Sequence, residues 1–203
     1  MSSVREPAEG SKPARQRVPA AERRDALIDA AIEEFAHTGL HGTPVDRIAR
    51  RVGVAQPYVF SLFPTKRDLF IAAIERCFSR VGELFVAAAA GFDPATAEPG
   101  TTVLKAIGES YVQLLGADRL MLMLQLQAYA ACDDEVIGAQ VGASYKQLKQ
   151  SVMDISGATL DEIDEFFAFG MYLSVQAAVS PADLPDIVAR RHEVLANGGP
   201  FNC

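Results

Sequence analysis

Residues 43–69, TPVDRIARRVGVAQPYVFSLFPTKRDL, constrain the fold more than any other stretch of the chain. Thr43, Pro44 and Asp46 read as a capping box. In that reading the Thr43 hydroxyl takes an amide, Pro44 fits the first helical position and the Asp46 carboxylate meets the helix dipole. Val45, Ile48, Ala49 and Val52 then recur at i, i+3, i+4 and i+7, which puts one apolar stripe on a helix. Gly53 supplies the left-handed residue that ends it. A second short helix is predicted from about Ala55 to Phe63, with Val59, Phe60 and Phe63 able to face inward. Pro64 stops it, and Thr65 with Asp68 caps a third helix. Two short helices about a glycine turn are the geometry that offers a second helix to the DNA major groove.

The flanking residues extend this pattern. Arg23 to Gly42 is predicted as an amphipathic helix with Leu27, Ile28, Ala31, Ile32 and Phe35 on one face and Gly39 after its end. With Thr43, Ile48, Ala49, Gly53, Val54, Phe63, Pro64, Lys66 and Leu69 in that order, residues 23–78 resemble the amino-terminal domain of TetR-type transcriptional regulators. The chain departs from the common pattern at Ala55, Ser61 and Leu62, where Ser, His and Tyr are usual. Those changes bear on individual DNA contacts and not on the fold. The resemblance implies an all-α fold of nine helices in two domains. A helix-turn-helix domain spans residues 21–68, after a disordered tail over residues 1–20, and a ligand and dimerisation domain spans residues 69–203.

Composition agrees with a helical chain and sets limits on function. Of 203 residues 49% are hydrophobic and 8% aromatic, with no Trp and few alternating strand-like runs. No apolar stretch reaches the ~20 residues that span a bilayer, and the amino terminus has no export signal. Cys77, Cys132 and Cys203 are odd in number and lack CxxC spacing, so they read as reduced thiols in a cytoplasmic protein. The net charge of −7 is unevenly placed. Residues 1–76 hold 12 Lys and Arg against 10 Asp and Glu, and the remainder holds 7 against 16. The acidic half repels DNA and leaves the amino-terminal half as the docking face. Lys12, Arg15 and Arg17 near the end of the tail could form a basic arm to the minor groove.

Further helices are predicted at Lys66–Ala90, Thr102–Leu115, Asp118–Ala131, Asp134–Ser156, Leu160–Val179 and Leu184–Ala196. Breaks fall at Gly116, Cys132-Asp133, Gly157 and Ser180-Pro181, and residues 91–100 form a loop. The Lys66–Ala90 helix, about 36 Å long, is enough to join two domains.

Candidate DNA contacts are Gln56, Pro57 and Tyr58 in the first turn of the recognition helix, with Ser61 beyond them. Gln bonds adenine bidentately, and Tyr58 reaches a phosphate or a thymine methyl. Thr43 and Lys66, at two helix starts, are candidate phosphate contacts. Of Arg47, Arg50 and Arg51, at least one is expected to pair internally. His37 and His41 have metal-ligand spacing, but Gly39 interrupts them and no third ligand lies near, so no metal is expected. No cofactor fingerprint or catalytic motif occurs, and the chain is not read as an enzyme.

Asp118–Ala131 is apolar nearly all round, which buries it on several sides. Met121, Gln125 and Tyr129 are its candidate ligand contacts, with Tyr111 and Phe169 opposite, for an apolar small molecule carrying one or two polar groups. Phe166, Gly170, Leu173 and Ala177 on one helix, with Ile187 and Val188 on the last, are candidates for a dimer interface. The resemblance implies that these two helices form a four-helix bundle with a second copy. It also implies double-stranded operator DNA as partner and, most often, a repressor that its ligand releases. Two other readings stand beside this one. One is a regulator with the same DNA domain but no ligand, and the other is a helical enzyme or scaffold whose helix-turn-helix is structural.

Overall fold

The computed structural model describes residues 19–196, with side chains through Arg191, and these residues are helical without any strand. The helices are α1 (Ala20–Gly42), α2 (Val45–Val52), α3 (Gln56–Leu62), α4 (Lys66–Ala90) and α5 (Val103–Ala117). They continue as α6 (Arg119–Ala130), α7 (Glu135–Ser156), α8 (Leu160–Val179) and α9 (Leu184–Ala196), with one 3₁₀ turn at Pro181–Asp183. Nine α-helices are therefore present among the described residues, as expected. The tail and its basic residues lie outside them up to residue 18, as does Cys203.

Side chains at the helix starts explain most boundaries. Thr65 and Asp68 form a reciprocal capping box on α4, and Thr159 and Glu162 form another on α8. Thr102, Asp118 and Asp134 accept amides at the starts of α5, α6 and α7. The Arg67 guanidinium beside Asp134, 3.0 Å away, and the amides at the start of α7 hold that carboxyl below its usual range. Gly157 ends α7 in the left-handed conformation. α5 runs through Gly116 and ends one residue later at Ala117, and Asp118 serves as the cap between α5 and α6.

α4 ties the chain together. On its first three turns Leu69, Phe70 and Ile74 are buried, and Phe35 of α1 meets Phe70 edge to face at 4.9 Å between centroids. Farther along, Cys77, Val81 and Phe85 are buried among α5, α6 and α7. Burial pushes the Cys77 thiol up to about 12, so it remains protonated and packs as a small apolar group. α6 touches α1 on one side and α5, α7 and α8 on others, which accounts for its apolar circumference.

Gly39 marks the end of regular helix in α1. Its φ of 67° and ψ of −176° belong to a region only glycine occupies without strain. A Cβ there would also come 2.5 Å from Oε1 of Gln127 on α6. Gly53, at φ 71°, has open space around it. Gly39→Ala is expected to lower the unfolding free energy by about 2–3 kcal/mol. Gly53→Ala should cost only about 1–2 kcal/mol. Urea denaturation of both variants checks the order.

Candidate nucleic-acid interface and buried cavity

The turn between α2 and α3 is set by Gly53, whose amide returns to the carbonyls of Ala49 and Arg50, and by Val54, whose amide reaches Ala49 O at 3.0 Å. α3 is anchored from one side only. Val59 is buried, Phe63 follows it into the core, and Arg24 of α1 lies 4.7 Å over the Phe63 ring. Gln56, Pro57 and Ser61 face outward and Tyr58 is half-buried. Phe60, expected inward, is 39% exposed. A seven-residue helix held by Val59 has no room for a second inward aromatic one residue later, 100° around the axis. Ser61 donates to Tyr58 O at 2.7 Å, back onto its own helix.

Thr43 is not the cap that its position in the sequence implies. Pro44 precedes the first residue of α2, no side chain caps that helix, and Thr43 is 1% exposed. Its hydroxyl donates to Gly39 O at 2.7 Å and sits 2.6 Å from Thr38 Oγ1. The side chain closes the kink at the end of α1 and cannot reach a phosphate. Lys66 also turns inward. Its ammonium donates to Thr43 O at 3.0 Å and to His41 O at 3.3 Å, which ties the start of α4 to the end of α1.

All three arginines of α2 are paired. Glu34 of α1, 7% exposed, receives Arg47 at 3.3 Å and Arg51 at 3.0 Å, while Arg51 also meets Glu33 at 2.6 Å. Arg50 pairs with Asp46 within α2. Glu34 fixes α2 on α1, and sequence periodicity cannot show it because Glu34 lies beside the apolar stripe. Both arginines are about half exposed and can rehydrate if Glu34 is lost. Glu34→Ala should therefore lower the unfolding free energy by about 1–2 kcal/mol, below the loss typical of a fully buried pair. An unchanged urea midpoint would show that the pairs contribute nothing.

In the other half, α4, α5, α6, α7 and α8 enclose a cavity of about 40 Å³. Tyr111, Gln125 and Tyr129 line it. Phe78, Phe85, Tyr145, Phe166, Phe167, Gly170, Met171 and Ser174 line it as well. Tyr111 Oη lies 2.8 Å from Ser174 Oγ and 3.2 Å from the near end of the Gln125 amide, and Ser174 Oγ lies 2.8 Å from Gly170 O. The far end of the Gln125 amide is buried without a hydrogen-bond partner. Burial also raises the Tyr111 and Tyr129 phenols, so both are neutral.

Two expected contacts lie elsewhere. Met121 is 2% exposed and packs in the core outside the cavity, its carbonyl near Cys77 Sγ. Phe169 points toward α9, with Arg191 3.8 Å over its ring. Phe166, Gly170 and Ser174 of α8 line the cavity instead, while Phe169 is half-buried beside α9.

The expected dimer positions are also inverted. Gly170 and Phe166 line the cavity, and Leu173, Ala177 and Ile187 are buried within the protomer, while Val188 is half-buried. The apolar stripe that α8 leaves exposed is Tyr172, Val175 and Val179, the last 68% exposed.

Residues 27–73 match the family model described as bacterial regulatory proteins, tetR family. The stretch that carries the helix-turn-helix is thus similar to that family, as the resemblance implied. The HTH-type transcriptional activator FasR of Mycolicibacterium smegmatis is 40% identical over 60 residues, 30% of this chain and 27% of FasR. The match thus spans about a quarter of that relative.

Two solved structures resemble the chain over most of its length. A putative transcriptional regulator from Pseudomonas aeruginosa PAO1 has a TM-score of 0.66 at 23% identity, covering 90% of this chain and 92% of that one. The regulator FadR from Bacillus subtilis, in complex with stearoyl-CoA, has a TM-score of 0.67 at 17% identity, covering 84% and 96%. These likenesses establish the two-domain TetR fold. Among the described residues no helix is long and apolar enough to cross a membrane.

Proposed function

We propose that this chain is a cytoplasmic, homodimeric transcriptional regulator that reads operator DNA with α3 and responds to a small apolar ligand in the cavity beside α6. Residues 21–68 serve as the DNA-binding domain and residues 69–203 as the ligand and dimerisation domain. The observation that carries the reading is the outward face of α3 within a stretch similar to the TetR family. Gln56, Pro57 and Phe60 stand clear of the core, and Tyr58 flanks them. Gln56 suits an adenine edge, and Phe60 and Tyr58 suit thymine methyls or phosphates. Thr43 and Lys66 act as positioning residues that hold α1, α2 and α4 in register. The first turn of α2 has no side-chain cap and offers its amides to a phosphate.

Ligand response follows from the placement of α6. Gln125 and Gln127 are two residues apart, about 200° around the helix. Gln125 faces the cavity, and Gln127 abuts Gly39, beside the carbonyl that Thr43 holds. Drug-sized ligands need pockets of roughly 300 Å³ or more, so the cavity as it stands is a closed form. Parting of its walls displaces α6 against the kink of α1 and so alters the seat of α2 and α3. A ligand acts here to the extent that it binds the open form more tightly.

Selection from random duplex DNA should recover a two-fold site. Gln56→Ala and Tyr58→Ala should each weaken binding at one base position by about 1–3 kcal/mol. If both variants bind the selected site like wild type, α3 does not read it.

Dimerisation is assigned to the exposed stripe of α8, Tyr172, Val175 and Val179, with α9 beside it. Val175→Glu should yield a folded monomer in sedimentation at micromolar concentration, since it places charge on a face buried only between copies. Leu173→Glu should instead unfold the protomer. A dimer unaffected by Val175→Glu would place the interface elsewhere.

A further inference from the structure

The cavity carries enough chemistry to narrow its ligand, on the reading that this regulator responds to one. None of its lining side chains is charged, so neither a carboxylate nor an ammonium finds a counter-ion there. Its walls are largely aromatic, with Phe85 edge-on to both Tyr111 and Phe166 at 5.8 and 6.2 Å between centroids. A flat neutral ring suits such walls.

The polar groups fix what else the ligand brings. Three short gaps run in a row, from Gly170 O to Ser174 Oγ, on to Tyr111 Oη and on to the Gln125 amide. The Gly170 carbonyl has no proton, and the two hydroxyls bring one each. All three gaps are filled only if Ser174 donates to Gly170 O, Tyr111 donates to Ser174 and the amide NH₂ donates to Tyr111. With Oε1 toward Tyr111 and Nε2 at the unpartnered end, two hydroxyl protons serve three gaps, so one oxygen pair, 2.8 or 3.2 Å apart, would have no proton, and a buried N–H would be orphaned. The two ends of the amide have the same shape, so the orientation with Nε2 on Tyr111 fits the same envelope. It turns the carboxamide oxygen, an acceptor, toward the cavity.

We propose that this cavity takes a small, neutral, single-ring aromatic whose hydroxyl donates to the Gln125 side-chain oxygen. A void that accepts benzene measures about 150 Å³, against about 40 Å³ here. The difference is of the order of one side chain. Met171, on the wall and half-buried, is the adaptable residue that can yield it. A longer acyl chain or a second ring demands several such movements.

Two isomers test the proposal on the full-length protein. Benzyl alcohol has the donor, and anisole has the same atoms and nearly the same shape but only an acceptor. Melting temperature is measured across concentrations of each, with benzoate and benzylamine as charged controls. Benzyl alcohol should bind at least about tenfold tighter than anisole, the scale of one buried hydrogen bond. The charged compounds should give no shift. In Gln125→Leu the unliganded protein should melt no lower, because an unpartnered polar group is removed, and the preference between isomers should vanish.

Equal binding of the isomers, tighter binding of anisole, a shift with benzoate or benzylamine, or no shift with benzyl alcohol each overturns the proposal. A preference kept in Gln125→Leu does so too. If that variant does not fold, Gln125→Met takes its place. Selection of duplex DNA without a benzyl alcohol response removes this inference alone. A benzyl alcohol response without DNA binding removes the regulator reading instead.

Discussion

The buried side of α4 runs without interruption from Leu69 and Phe70, under α1, to Val81 and Phe85, beside the cavity. One rigid helix therefore belongs to two packing environments. Its start is fixed by the Thr65–Asp68 box and by Lys66, whose ammonium holds the carbonyls that end α1. Its far half forms a cavity wall. A change in cavity volume larger than Met171 can yield is not absorbed by loops, because the wall is a continuous hydrogen-bonded rod. Such a change appears as movement of one helix past another, and closely packed cores shift in discrete steps.

α6 is the second element that both halves share, and its chemistry differs on its two sides. Toward α1 the contact is steric. Glycine at position 39 leaves the space that the Gln127 side chain fills. Toward the cavity the contact is polar, through Gln125. The helix thus carries an unsatisfied amide on one face and a side chain seated against the Gly39 backbone on the other. In the proposed mechanism, satisfying the amide favours one arrangement of α6 over another. The reach of this coupling is bounded by the difference in ligand affinity between the arrangements, whatever the total affinity.

Much of this was legible in the sequence, because helix periodicity, caps and glycine stops are local. The bounds of α4, α8 and α9 follow from Thr65, Gly91, Gly157 and Pro181. The helix-turn-helix follows from the spacing of Val45, Ile48, Ala49 and Gly53. The failures share a cause. Thr43 has a cap's position, but the kink at Gly39 brings carbonyls closer to its hydroxyl than the amides of α2. Phe60 has an apolar side chain, but α3 has one anchored side. On α8, large and small apolar residues surround the helix, so periodicity shows several faces and cannot rank them. Only the packing of α5 and α7 decides that Gly170 and Leu173 turn inward and Val175 turns outward.

The same limit governs the cavity. Gln125 and Tyr129 could be found because polar groups stand out on an apolar helix. Ser174 and Tyr145 could not, since a serine within a helix ordinarily bonds its own backbone, and Ser174 does so with Gly170 O. That local bond gives Ser174 its role here. With its single proton committed to Gly170, Ser174 can only accept from Tyr111, and in the proposed orientation of the Gln125 amide Tyr111 then accepts from its NH₂. A backbone carbonyl on α8 thereby sets the polarity of a group on α6 through two hydroxyls. The side chain that faces the cavity is defined by a chain of protons that starts on a different helix, and no reading of α6 alone could reveal it.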